Sequence, residues 1–94
     1  MKITESEARY YLNAAKALQN STEDRLESYF WWGYSRGIRR AWHGEGFGDE
    51  HHRYMMSINE AELLRAPADR LRVLGYKAGL AGKAPSVAAE EAGL

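Results

Sequence analysis

All three histidines of the chain, His43, His51 and His52, lie within one short stretch, interleaved with Glu45, Asp49 and Glu50. Imidazole nitrogens and carboxylate oxygens at that density are the donor set of zinc, nickel or iron centres. Asp49 and His52 stand three apart and would share a helix face, while His43 and Glu45 could reach across a glycine loop to complete four ligands. The same residues are the chain's candidates for general acid–base work, with His43 or His52 as base and Glu45 or Asp49 orienting it. The spacing matches no established ligand pattern such as His-Glu-x-x-His, and His51 and His52 would diverge by about 100° on a helix. Helix capping by Asp49, with Glu50 in the electropositive first turn, explains the same residues without a ligand. With no phosphate-cradling loop, nucleophile elbow or dinucleotide fingerprint in the sequence, no cofactor is expected, and the chain reads as a binding protein rather than an enzyme.

A second chemistry resides in the stretch between Leu26 and His43. On a helical wheel, Phe30, Trp31, Gly33, Tyr34, Gly37, Ile38, Ala41 and Trp42 fall with Leu26 on one arc, the expected core face. Trp32 falls at about 240° from Leu26, in the middle of the opposite arc, among Tyr29, Arg36, Arg39 and Arg40. Arg36 is one turn from Trp32 and Arg39 two turns, so a guanidinium can lie over the indole. Tryptophan, tyrosine and arginine are the residues most enriched in interface hot spots, which makes this face a protein-binding surface. The alternative is RNA or single-stranded DNA, with Trp32 and Tyr29 stacking on bases and Arg36, Arg39 and Arg40 meeting phosphates. A cover of Trp32 from within the fold, or a second copy of the chain in a homodimer, would also account for it.

Gly33-Tyr-Ser-Arg-Gly-Ile and Gly75-Tyr-Lys-Ala-Gly-Leu repeat the pattern Gly-Tyr-x-x-Gly-aliphatic, each behind two large apolar residues. Both stretches lie in expected helices, where each glycine costs about 1 kcal/mol relative to alanine. Glycines four apart on one face let a neighbouring backbone come close, so Gly33 and Gly37 are expected to cross against Gly75 and Gly79. The second copy runs on to Lys83, and this stretch of about nine residues resembles the glycine-rich helix end of ribosome modulation factor. That resemblance implies binding to ribosomal RNA or ribosomal protein through Tyr76, Lys77 and Lys83. The chain departs from the family's pattern in lacking its Cys-Pro-Tyr segment and its following tryptophan-bearing helix, and in being neutral rather than strongly basic.

Helical elements must position all of these residues, since no β-alternation longer than four residues occurs. Thr4 with Glu7 forms a capping box ahead of Ala8, Tyr11, Leu12, Ala15 and Leu18, predicting a helix over about 5–19. A hydroxyl of Ser21 or Thr22 is expected to cap a second helix running to His43, with Gly44 as its left-handed end. Three glycines between 44 and 48 make a loop, anchored by Phe47. Asp49 caps a short helix through Met56, and Ser57 with Glu60, or Asn59, offers a restart through Leu63 and Leu64. Pro67 opens a last helix over about 68–81, stopped by Gly82. The expectation is an all-α single small domain over 1–83, a four- to five-helix bundle, with 84–94 a mobile C-terminal tail.

Composition narrows the partners. Thirteen basic side chains balance thirteen acidic ones in 94 residues, so no global field draws the chain to nucleic acid or anionic lipid. The charge is nonetheless in blocks: Arg36, Arg39 and Arg40 stand without an acid between 34 and 44, an acidic stretch follows, and 63–83 is basic again. The absence of cysteine excludes disulfides and thiolate sites and fits a cytoplasmic location. No run approaches the roughly 20 apolar residues a membrane span needs, so no membrane partner is expected.

Overall fold

Thr4 accepts from the Glu7 backbone N–H while Glu7 accepts from the backbone N–H of Thr4, closing the capping box that starts α1, Glu5–Ser21. The second start lies further on than the hydroxyls of Ser21 and Thr22 predict. Asp24 is the N-cap of α2, Arg25–His43, and its carboxylate accepts from the N–H groups of Leu26 and Glu27. Thr22 ends α1 instead, and its hydroxyl supports Asp24 N–H and donates to Glu27. Gly44 ends α2 at φ +79° and ψ −163°, a positive-φ backbone that glycine adopts readily, though extended rather than the left-handed helical form expected of it. The coordinates are a computed structural model describing residues 3–59, 61 and 65–94.

Beyond the glycine loop, α3 spans Asp49–Ser57, but its N-cap is Gly48, in the left-handed region at φ +63°. Asp49 is not the cap because its carboxylate is already engaged, by Arg40 from α2 and by the N–H of Gly46. Ile58 and Asn59 are outside the helix, and the restart through Glu60, Leu63 and Leu64 lies outside the described residues. Pro67 occupies the first turn of α4, Pro67–Leu80, and Gly82 at φ +72° follows its end. The segment expected as a mobile tail carries a further helix, α5, Pro85–Glu91. Ala88 is buried in the main core there, and Lys83 pairs with Glu91 across the turn. The domain is all-α, with no strand among the described residues.

Helices α2 and α4 share the most extensive contact, and the repeated glycines are the reason. A Cβ on Gly33 would sit 2.2 Å from the Arg72 carbonyl oxygen, and one on Gly37 2.2 Å from that of Tyr76. From the other side, a Cβ on Gly75 would meet the Phe30 oxygen at 2.1 Å and one on Gly79 the Tyr34 oxygen at 2.2 Å. The two Gly-Tyr-x-x-Gly motifs therefore face each other with backbone against backbone. Around the crossing, Phe30, Trp31, Tyr34 and Ile38 of α2 form the main core with Leu71 of α4, Ala8 and Ala15 of α1, and Ala88 of α5. Met55, Val73 and Tyr76 form a smaller cluster that seats α3. Tyr34 donates from its hydroxyl to the Lys83 carbonyl at 2.6 Å, and burial, with Tyr11 nearby, pushes its ionisation well above the usual phenol range.

Candidate binding face

The core arc of α2 leaves Trp32 outside: Trp31 is 1% exposed and Trp32 36%. Adjacent positions on a helix point about 100° apart, so one indole enters the main core and the next leaves it. Leu26 departs from the wheel, since it is exposed near the start of α2 rather than packed in the core. Trp32 lies between two surface grooves and borders both. The first, about 490 Å³, runs toward α3 and α4 past Tyr29, His51, Met55 and Arg72. The second, about 520 Å³, runs between α1 and α2 past Arg9, Lys16, Arg36, Arg39 and Trp42.

Guanidinium groups hold the aromatic rings of this face. Arg36 lies 4.9 Å from the Trp32 ring centre, as a residue one turn along the same helix can. Arg72 comes from α4 and lies 4.2 Å from the Tyr29 ring centre and 5.8 Å from that of Trp32, with its own charge paired to Asp69 at 2.8 Å. Arg9 of α1 stands 5.6 Å from the Trp42 ring centre, and the imidazole of His43 stacks on that same indole at 4.5 Å. Reading α2 alone misses Arg72 and Arg9. The glycine register could have found Arg72, because the crossing puts its backbone against Gly33, one position beyond Trp32.

Of the residues expected on this face, Tyr29 and Trp32 border the first groove and Trp32, Arg36 and Arg39 the second, whereas Arg40 meets Arg36 and Arg39 only in a smaller pocket beside Phe47 and His51. The Arg40 guanidinium turns to the glycine loop, donating to the Phe47 carbonyl at 3.0 Å and pairing with Asp49. That pairing and the Gly46 N–H hold the Asp49 carboxyl below the usual carboxylate range. Phe47 itself is exposed, resting its ring 4.7 Å from that of His43.

The histidine and carboxylate residues do not assemble. His43 is taken up by Trp42 and Phe47, Asp49 by Arg40, and His52 places Nδ1 2.7 Å from the Tyr76 hydroxyl. Among the described residues no three side chains of His, Asp or Glu converge as metal ligands, so His43, Glu45, Asp49 and His52 form no centre. Tyr76 is buried at the helix crossing, where burial raises its ionisation, and Lys83 pairs with Glu91. Of the three residues that the ribosome modulation factor resemblance would assign to RNA, only Lys77 is exposed and without an ion pair among the described residues.

His51, which the wheel of α2 could not place, is wedged between Trp32 and Tyr76, with ring centres 5.6 and 5.3 Å away, both edge-on. Its Nε2 is buried and has no hydrogen-bond partner among the described residues. Burial, then the positive charges of Arg36 and His52, hold its pKa below the ordinary imidazole value. In the unfolded chain that group takes a proton at about pH 6.5, whereas in the fold it resists until lower pH. The stability His51 contributes is therefore complete above about pH 6.5 and falls as pH drops below it. Urea midpoints measured between pH 7.5 and pH 5.5 should decline for the wild type and decline less for His51→Phe, which keeps an aromatic ring in the wedge. Equal declines would show that His51 does not carry the effect.

Among the described residues no helix is long and apolar enough to cross a membrane. No protein-family model matches the chain, and no curated protein or solved structure aligns with it significantly.

Proposed function

We propose that the protein is a small protein-binding module and that the face centred on Trp32 is its recognition surface. The observation that carries this reading is the position of Trp32, a large indole left outside the core between two grooves and flanked by guanidiniums from α2 and α4. An indole held in one orientation by neighbouring arginines presents wide contact area at little entropic cost on binding, which is how interface anchors work. Catalysis finds no comparable support, because His43, Asp49 and His52 are engaged with Trp42, Arg40 and Tyr76 rather than with one another.

The test is capture from lysate of the source organism on the tagged wild type and on Trp32→Ala, each sample divided and half treated with nuclease. Trp32→Ala should cost no more than about 1 kcal/mol of stability, as expected of a half-exposed aromatic making exposed cation–π contacts. The expected result is a partner protein that survives nuclease and is lost with Trp32→Ala. Ribosomal material lost on nuclease treatment would replace this reading with the RNA-associated alternative. Capture indifferent to Trp32 would remove the face from the function.

A further inference from the structure

The groove between α1 and α2 differs from the one on the other side of Trp32 in its charge. Arg9 and Lys16 stand on α1, Arg36 and Arg39 on α2, all exposed, and among the described residues no carboxylate borders the groove. Among the described residues only Arg9 of these four has an ion pair, with Glu5 one turn back on the exposed side of α1. Side-chain amides complete the lining, at Asn13, Gln19 and Asn20. Trp32 and Trp42, ten residues apart on α2, both line this strip. A chain of zero net charge has thus placed four cations along one groove, where an extended or helical segment of matching charge could run.

We infer that this groove seats an acidic segment of the partner protein, rich in Glu and Asp, whose carboxylates meet Lys16, Arg36 and Arg39 while an apolar side chain packs against the part of Trp32 that Arg36 leaves exposed. This rests on the reading of Trp32 as a protein-binding surface and assigns that surface a class of partner. The choice of peptide over nucleic acid follows from the rings. Single-strand recognition needs open aromatic faces on which bases stack. Here Arg36 lies over Trp32, and both His43 and Arg9 lie over Trp42. The guanidiniums keep outward N–H groups for carboxylates, in the paired geometry that arginine favours.

The experiment uses the full chain and fluorescence anisotropy of three labelled probes of equal length: a Glu-rich peptide, the same peptide with Gln for every Glu, and oligouridine. Lys16→Glu/Arg39→Glu is the test variant. Both positions are exposed, and circular dichroism melting checks that the variant is folded. The Glu peptide should bind at least about tenfold more tightly than the Gln peptide or oligouridine, and the variant should lose about tenfold or more of that affinity. Equal binding of the Glu and Gln peptides, no binding of either, or tighter binding of oligouridine would overturn the inference. So would a homodimer that the variant dissociates without any peptide, because a second copy would then own the groove. If the Glu peptide fails while nuclease-resistant capture still depends on Trp32, the groove assignment falls alone. If capture is independent of Trp32, the protein-binding reading itself falls.

Discussion

Gly37→Ala should remove about 3 to 5 kcal/mol of stability, although alanine is the better helix former by about 1 kcal/mol. The added methyl would lie 2.2 Å from the Tyr76 carbonyl oxygen, 2.8 Å from the Leu80 nitrogen and 3.0 Å from the Tyr76 carbonyl carbon. All three are backbone atoms of α4, so no side chain can rotate away and the helix itself must move. Moving it would draw Gly75 and Gly79 off α2, since they make the same approach from the other side. A domain of this size has about 5 to 14 kcal/mol of stability in all, so the loss approaches unfolding, and Gly37→Leu should abolish the fold. Thermal melting followed by circular dichroism measures this directly. A midpoint for Gly37→Ala within two or so degrees of wild type would mean that the helices do not cross on these glycines.

Trp31→Ala should be nearly as costly, at about 3 to 5 kcal/mol, the range for truncating a fully buried large aromatic. Trp31 packs edge-on against Phe30 at 4.9 Å and Tyr34 at 5.4 Å, and its indole N–H donates to Glu27 at 3.4 Å. Its removal opens a void at the junction of α1, α2 and α5, where the small residues Ala8, Ala15 and Ala88 cannot expand to fill it. The neighbouring substitution Trp32→Ala exchanges the same side chain one position along and should cost no more than about 1 kcal/mol. Urea denaturation of the pair therefore reads the rotational setting of α2 without reference to any partner. Equal losses would place both indoles in the core and leave the proposed face without its centre.

The parts of this structure that local residue chemistry decides were legible in the sequence. The Thr4–Glu7 capping box, the helix end at Gly44, Pro67 in a first turn and the stop at Gly82 each depend on neighbours a few residues away. The helix crossing was legible for a different reason, because two mid-helix glycines are unfavourable twice over unless a backbone lies against them. Reading failed where several local solutions compete. Thr22 and Asp24 are both good caps, and the tie is broken by the Thr22 hydroxyl, which bonds both Asp24 N–H and Glu27. Asp49 looks like a cap until Arg40, nine residues earlier, claims its carboxylate.

Helix α5 was hidden for a packing reason. Its buried contacts come from Pro85 and Ala88, whose small side chains make no apolar stripe that a periodicity could reveal. The candidate face was half legible. Tyr29, Trp32, Arg36 and Arg39 share one side of a single helix, whereas Arg9, Lys16, His51 and Arg72 join them only through tertiary packing. The histidines illustrate the converse. Close in sequence, His43 is parted from the other two by the glycine loop and turned to Trp42, while His51 and His52 on α3 both meet Tyr76, His51 with Trp32 on its other side.

The most direct test of the Trp32 face is site-specific photo-crosslinking in lysate of the source organism, with a photoreactive residue placed either at Gln19, which borders both grooves, or at Ser86, on α5 away from them. The account predicts a nuclease-resistant protein adduct from Gln19 that disappears when Trp32→Ala is added, and none from Ser86. An adduct from Ser86 alone, or one from Gln19 that persists without the indole, would contradict it.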